Sequence, residues 1–399
     1  MTLPASVIVV SRHRAAALQR CILALTQQDH PQFELIVVAD PAAVAQVQGL
    51  GLPLKCVAFD QANISAARNA GLALAAAPVV AFIDDDAVAE PTWLTRLCAP
   101  FDNPAVTAST GFIRGRNGIS YQWQACEVDQ FGQDHLLEIA MPTLRPATAQ
   151  RAVKTQGTNC AFRRDVLLTL GGFDPAYRFY LDEADVNLRM AGLTAIIPDA
   201  QVHHGYLASP RRATNRVPLS LYDIAASSAI FLRRHAPDAD MAAALTALSL
   251  RESGRIAVHR RAGRIKADAE LALLSSLTQG WAEGLRCNLG ALPPLPATDS
   301  ALLPLQTGPR PGKILSGRFW QKHRLRAEAM ASAGHITTVF LLSPTARPHK
   351  LSFQPEGYWL QTGGIFGQST RQGSRFRLIS FRNRVAEEAA RLAPYRPIR

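Results

Sequence analysis

Within the first ninety residues, short β-branched runs alternate four times with stretches whose apolar residues recur at helical spacing, and few folds accept that pattern. Ser6–Ser11 (SVIVVS) reads as a buried strand, and Arg14–Gln28 sets Leu18, Cys21, Ile22 and Leu25 on one helical face. Phe33–Ala39 (FELIVVA) is a second strand, Pro41–Leu50 a short helix and Leu54–Phe59 a third strand. Asn63 offers an N-cap to a helix running to Ala77, and Pro78–Ile83 is the fourth strand. Such repetition predicts an α/β fold, a doubly wound, mostly parallel sheet with helices on both faces. Sheets of this kind bind ligands at the carboxyl ends of their strands. Ser11, Asp40, Asp60 and the triplet Asp84, Asp85 and Asp86 all fall at or just beyond such ends. No GxGxxG or GxxxxGKS element follows the first strand, which weighs against a dinucleotide dehydrogenase or a P-loop enzyme.

The triplet sits in FIDDDAVAE, where an apolar run stops abruptly in three carboxylates. Adjacent carboxylates repel one another and are costly to bury unpaired, so something positive is expected beside them. Oxygen ligands suit Mg2+ or Mn2+, and Mg2+ is commonly shared between carboxylates and substrate phosphates. The plainer reading is a solvated acidic turn ahead of the helix after Pro91.

A second polar cluster begins at QGTNCAF, where Gly157 and Asn159 suggest close backbone approach. Asp165 then caps a short helix ending at Gly171-Gly172. In the following LDEADVNLR, helical spacing pairs Asp185 with Arg189 and leaves Asp182 or Glu183 projecting from the helix start, a candidate general base. Acidic residues there also simply complement the helix dipole. After a strand at Leu193–Ile197, His203-His204 falls in a loop, either as structural residues or as neutral imidazoles completing a metal shell.

Assembled in order, these motifs over roughly residues 4–210 resemble the family 2 glycosyltransferases, inverting enzymes of GT-A fold. SVIVVSRHR is similar to the family's opening strand and nucleotide-facing loop, NISAARNAGLALA to its ARNxG segment, and FIDDDAVAEPTWL to its DxD strand. QGTNCAFRRDVLLTLGGFD followed by LDEADVNLRMAG is similar to its GxNxAxRR, GGFD and ED-x-D-L-x-x-R sequence. The resemblance implies that Asp84 and Asp85 face the ribose and nucleotide. It implies that Asp86 ligates a divalent cation (Mn2+ or Mg2+) and that His203 or His204 meets the metal or diphosphate. Arg68 would lie near the donor, and Asp40 and the loop from Ser11 to Arg14 would border the base. Glu183 would be the position-for-position base, although the pair reads Asp-Glu where the family has Glu-Asp, which keeps Asp182 in play. VVADP stands where the family has two aspartates, so the nucleotide is open among UDP, the default, GDP and dTDP. The implied reaction moves a sugar from a nucleotide-diphosphate sugar to a hydroxyl on a carbohydrate or lipid-linked acceptor, as in surface polysaccharide or glycolipid assembly. A domain that keeps the fold as a non-catalytic sugar-binding module is the alternative.

Composition narrows the setting. The longest apolar candidate, Ala70–Ile83, has 14 residues and contains Gly71 and Pro78, too short to span a bilayer. The N-terminus lacks a basic region before its apolar run, so a cytoplasmic protein is expected. Six cysteines without a CxxC pair argue against a zinc site or a disulfide framework. Charge divides unevenly: residues 1–208 carry 15 Lys+Arg against 19 Asp+Glu, and residues 209–399 carry 28 against 12. The basic half suits peripheral contact with the anionic inner face of a membrane, or simply a solvated, Arg-rich surface. Nucleic acid is disfavoured because no recognised motif accompanies the charge. The expected organisation is a catalytic domain over 1–210, a helical extension over 211–292, a linker-rich segment over 293–334 and a small α+β unit over 335–399.

Overall fold

In the computed structural model, which describes residues 2–397, the central sheet is mixed α/β in setting and ordered Thr143–Pro146, Leu193–His204, Val106–Arg114, Cys160–Arg163, Val79–Asp84, Ala5–Val10, Phe33–Ala39, Leu54–Ala58. The four strands read from the sequence lie side by side and parallel at one end of this order. Alternate residues face opposite layers: Val7, Val9, Leu35 and Val37 pack into one core, and Ile8, Ile36, Val38 and Phe82 into the other. Burial on both faces explains why these strands are apolar throughout.

The helix capped by Asn63 is shorter than expected, Ile64–Leu72. The backbone amides of Ala76 and Ala77 donate instead to the Glu34 carboxylate and the Ser6 hydroxyl, which turns the chain back into the sheet. The short helix Arg164–Thr169 is preceded by Arg163 as N-cap; Asp165 lies in its first turn and accepts from the amide of Val166.

Past the fourth strand the sheet becomes mixed. Cys160–Arg163 runs antiparallel to Val79–Asp84, so its entry at Gln156–Asn159 arrives at the edge where the parallel strands end. Leu193–His204 is 12 residues long, which carries the histidine pair on the strand and not in a loop. Its last residues pair antiparallel with Ala87–Ala89, the short strand that follows the acidic triplet. The triplet is therefore a tight connection between two strands at one sheet edge.

The helical extension packs Tyr222–His235 against Ala267–Arg286, where Gly280 and Gly284 admit the backbone of Tyr222 and Ala226. The Pro-rich stretch crosses the back of the sheet and buries Leu305 against its core. The segment read as linker-rich is partly regular: Gly312–Arg318 and Lys322–Met330 are a strand and a helix of the C-terminal unit. That unit is a sheet ordered Gly312–Arg318, Ile336–Ser343, Trp359–Gly364, Lys350–Phe353, followed by the helix Phe381–Leu392. Among the described residues, no helix is long and apolar enough to cross a membrane.

Candidate active site at the carboxyl edge of the sheet

Three carboxylates in a row acquire three different settings because the strand ends inside them. Asp85 is fully buried; Ser11 Oγ donates to its Oδ2 at 2.6 Å and Arg14 Nη2 lies 2.5 Å from Oδ1. It therefore faces inward toward the Ser11–Arg14 loop. Burial pushes its carboxyl up to about 7, against the opposing pull of Arg14. Asp86 points the other way. Its Oδ2 accepts the amide of Leu207 at 2.7 Å, and its Oδ1 is 3.2 Å from His204 Nε2. Burial would raise this carboxyl, but His204, Arg14 and the Leu207 amide outweigh burial and hold it well below the ordinary carboxylate range.

Asp84, with 31% of its side chain exposed, lies 3.9 Å from the same imidazole nitrogen. Asp84, Asp86 and His204 each offer a ligand atom within 4.8 Å of the others. Two carboxylate oxygens and one imidazole form a donor set able to hold a divalent cation such as Mn2+ or Mg2+. His203 does not join it. Its Nε2 is 2.8 Å from Glu90 and its ring lies tilted against Trp359 at 5.2 Å, because neighbouring residues of a strand point to opposite faces.

Across the sheet edge, the ARNAG helix delivers Arg68, which is buried. The guanidinium bonds Asp182, lies 2.8 Å from Glu183 and reaches to 4.0 Å from Asp84, thereby linking the two acidic clusters. Its plane also lies 5.1 Å from the ring of Phe173, the aromatic of GGFD. Asp182 does not project outward as anticipated; it is sealed beneath Arg68 with 3% of its side chain exposed, while Glu183 keeps 18%. Burial, then the neighbouring Glu183, push the Asp182 carboxyl well above its ordinary value. Burial would also raise Glu183, but Arg68 and the hydrogen bond with Asp182 prevail and lower it. Burial and charge thus push the two carboxyls in opposite directions, Asp182 up and Glu183 down.

The backbone ahead of this pair is strained: Tyr180 and Leu181, neither of them glycine, take left-handed φ values of 74° and 64°. Burial of Leu181 beside Tyr177 and Phe231 holds the turn. Asp185 pairs with Arg189 at 2.7 Å as the spacing required, and a second partner, His235 of the helical extension, meets it at 2.9 Å. Gly157 is needed for close approach: a Cβ there would sit 1.8 Å from Arg68 Nη2 and 1.9 Å from Glu183 Oε1. Asn159 is a buried clasp, donating to the carbonyls of Phe112 and Ala200 and accepting from Trp93 Nε1. Asp40 caps the second helix through the Ala43 amide and accepts from the amide of His13, which shapes the Ser11–Arg14 loop.

Two acidic clusters joined by one arginine therefore occupy the edge that the motifs named. Residues 6–171 match the model of glycosyl transferase family 2. This region is a family 2 glycosyltransferase domain. It is 31% identical over 113 residues to the glucosyl-dolichyl phosphate glucuronosyltransferase of Haloferax volcanii, a match that takes in 28% of this chain and 34% of that protein. The chain thus spans about a third of that relative. Among solved structures, TarS residues 1–349 of S. aureus with UDP-GlcNAc is 17% identical, covering 70% of this chain and 80% of that one at a TM-score of 0.47. The mannosyltransferase PcManGT of Pyrobaculum calidifontis with GDP-Man and Mn2+ is 19% identical, covering 71% and 88% at a TM-score of 0.43. The family-model match ends at residue 171, before Asp182 and His204, which the central sheet and Arg68 join to it. Sequence reading missed three of the supporting contacts: His235 on Asp185, Arg396 on Glu90, and the Leu207 amide on Asp86. None has a local signal, because each partner lies on an element whose position depends on the rest of the fold.

Proposed function

We propose that the protein is an inverting, metal-dependent glycosyltransferase that moves a sugar from a nucleotide-diphosphate sugar to an acceptor hydroxyl. The observation that carries this reading is the placement of a partly exposed Glu183 opposite the Asp84, Asp86 and His204 group, with Arg68 between them. A cation held by those three residues would supply positive charge against the diphosphate that leaves. Arg68 is fixed by its bonds to Asp182 and Glu183, so its charge is preorganised. Glu183 takes the proton of the attacking hydroxyl as the new glycosidic bond forms, and attack from the side opposite the departing diphosphate inverts the anomeric carbon. Glu183 is the base of the pair, because it is the more exposed carboxyl and the one that Arg68 and the hydrogen bond with Asp182 lower. UDP is the default nucleotide, and the acceptor is a carbohydrate or lipid-linked hydroxyl.

The test is a panel of UDP, GDP and dTDP sugars assayed for thermal stabilisation and turnover with Mn2+ or Mg2+. Stabilisation by one donor class, lost with EDTA or in Asp86→Ala, is the expected result. Turnover that persists under both treatments would overturn the metal-dependent reading.

We further infer a peripheral membrane role for the helix Met241–Arg261, whose exposed Leu250 and Val258 are interleaved with exposed Arg251, Arg255 and Arg261. Flotation with anionic vesicles at low salt checks it; failure to float removes the idea.

A further inference from the structure

Beside the acidic cluster, on the side away from Ser11 and Asp40, lies a cavity of about 420 Å3 lined by Gly115–Asn117, Ser120–Gln122 and Arg216. No carboxylate lines it. Its two charged residues are arginines, and among the described residues neither has an acidic side chain within ion-pair distance. Arg116 is held in place by backbone: it donates to the carbonyls of Gly205 at 2.8 Å and Thr214 at 2.9 Å, and to that of Tyr206. Arg216 is exposed, on a left-handed backbone with φ of 70°, and its guanidinium lies 5.1 Å from the Tyr206 ring. A third guanidinium, Arg212, stacks 3.4 Å from the same ring, and its buried Nε has no hydrogen-bond partner. Three like charges gathered on one tyrosine repel each other, and cation–π attraction offsets this only in part. An oxyanion completes the arrangement.

The position says which ligand carries it. Ser11, Asp40 and Arg68 come from strands and helices on one side of Asp84, whereas the cavity lies at the end of Val106–Arg114, two strands away on the other side. Gln122 Oε1 lies 3.3 Å from His204 Nδ1, so the cavity adjoins the acidic cluster directly. Its hairpin is pinned by the C-terminal unit: the amide of Leu351 donates to Asn117 at 2.8 Å, and a Cβ on Gly118 would meet the Leu351 carbonyl at 2.0 Å.

We propose that this cavity binds an oxyanion of the acceptor, a phosphate or a carboxylate, through Arg116 and Arg216, with Arg212 adding positive charge from beside Tyr206. The assignment to the acceptor rests on the glycosyltransferase reading; the anion site itself does not. The test is calorimetric titration of glycerol phosphate and of acetate into the full chain, with UDP and Mg2+ present to fill the donor site. Arg216→Asn and the charge reversal Arg216→Glu are compared, since Asn tolerates the left-handed backbone and, among the described residues, the Arg216 side chain has no hydrogen-bond partner whose loss would disturb the fold. The expected result is binding of at least one probe, weakened roughly tenfold by Arg216→Asn and more by Arg216→Glu. A preference for glycerol phosphate assigns a phosphate-bearing acceptor, and a preference for acetate an acidic sugar. Equal affinity in wild type and both variants, or binding of neither probe, overturns the site. UDP binding in the same samples reports separately on the donor reading.

Discussion

Arg396 and Glu90 form a two-point ion pair across 306 positions of sequence, with Nε and Nη2 of the arginine donating to the two carboxylate oxygens at 3.0 and 2.6 Å. Both side chains are essentially inaccessible, and the guanidinium lies 3.9 Å from the Trp359 ring. The pair locks the C-terminal unit onto the residue that closes the acidic segment, and Glu90 also contacts His203, the neighbour of His204. Arg396→Met leaves Glu90 as a buried, half-partnered charge and is expected to cost about 3–5 kcal/mol in urea unfolding. Adding Glu90→Gln to that variant should restore part of the loss, because the stranded charge is then gone. A variant as stable as wild type would show that the C-terminal unit docks without this pair.

The same pair makes stability depend on acid. Burial would raise Glu90, but Arg396 and His203 outweigh it and lower its carboxyl from 4.5 to about 2. A carboxylate depressed in the folded state contributes stability that is fully present above the unfolded value and lost as pH falls through the folded one. Wild type should therefore lose stability between about pH 4.5 and 2 more steeply than Glu90→Gln. Chemical unfolding at a series of pH values reads this directly; parallel slopes would remove Glu90 from the acid response.

Gly157 separates fold from site. Alanine there would drive its Cβ into Arg68 and Glu183, both held by bonds they cannot keep if displaced. Overpacking of this kind costs roughly 1–3 kcal/mol, which a protein of this size survives. Gly157→Ala is expected to remain folded by circular dichroism while transfer falls at least tenfold, roughly the effect of misplacing a reacting group. Normal turnover in a folded Gly157→Ala would mean that Arg68 and Glu183 need not hold their present geometry.

The parallel half of the sheet was legible because buried strands need apolar runs and their helices need capped amphipathic faces; Phe33–Ala39 was bounded to the residue. The acidic triplet was legible as a site but not in its parts. Whether Asp85 faces ligand or core depends on Arg14, 71 positions away, and the alternation of the strand alone does not say which face water reaches. His203 and His204 show the same limit: adjacency made them a pair, and strand geometry sends one to Glu90 and the other to Asp86. The basic half was read as surface charge, yet His235, Arg234 and Arg396 are spent on buried carboxylates, pairings that only the folded chain brings together.

The Asp-Glu pair gives the sharpest test of roles. Glu183 is the more exposed of the two and its carboxyl is lowered beside Arg68, whereas Asp182 is sealed and its carboxyl is raised by burial and by Glu183. Glu183→Gln keeps the shape and removes the proton acceptor, so transfer should fall by about 10²–10⁴-fold while nucleotide binding persists. Asp182→Asn preserves a donor toward Glu183 and an acceptor for Arg68, and should retain most of the rate. Measuring kcat and donor affinity for both variants separates the outcomes. If Asp182→Asn is the dead variant and Glu183→Gln the active one, the proton acceptor is Asp182, and the buried hydrogen bond between the pair must run in the opposite sense.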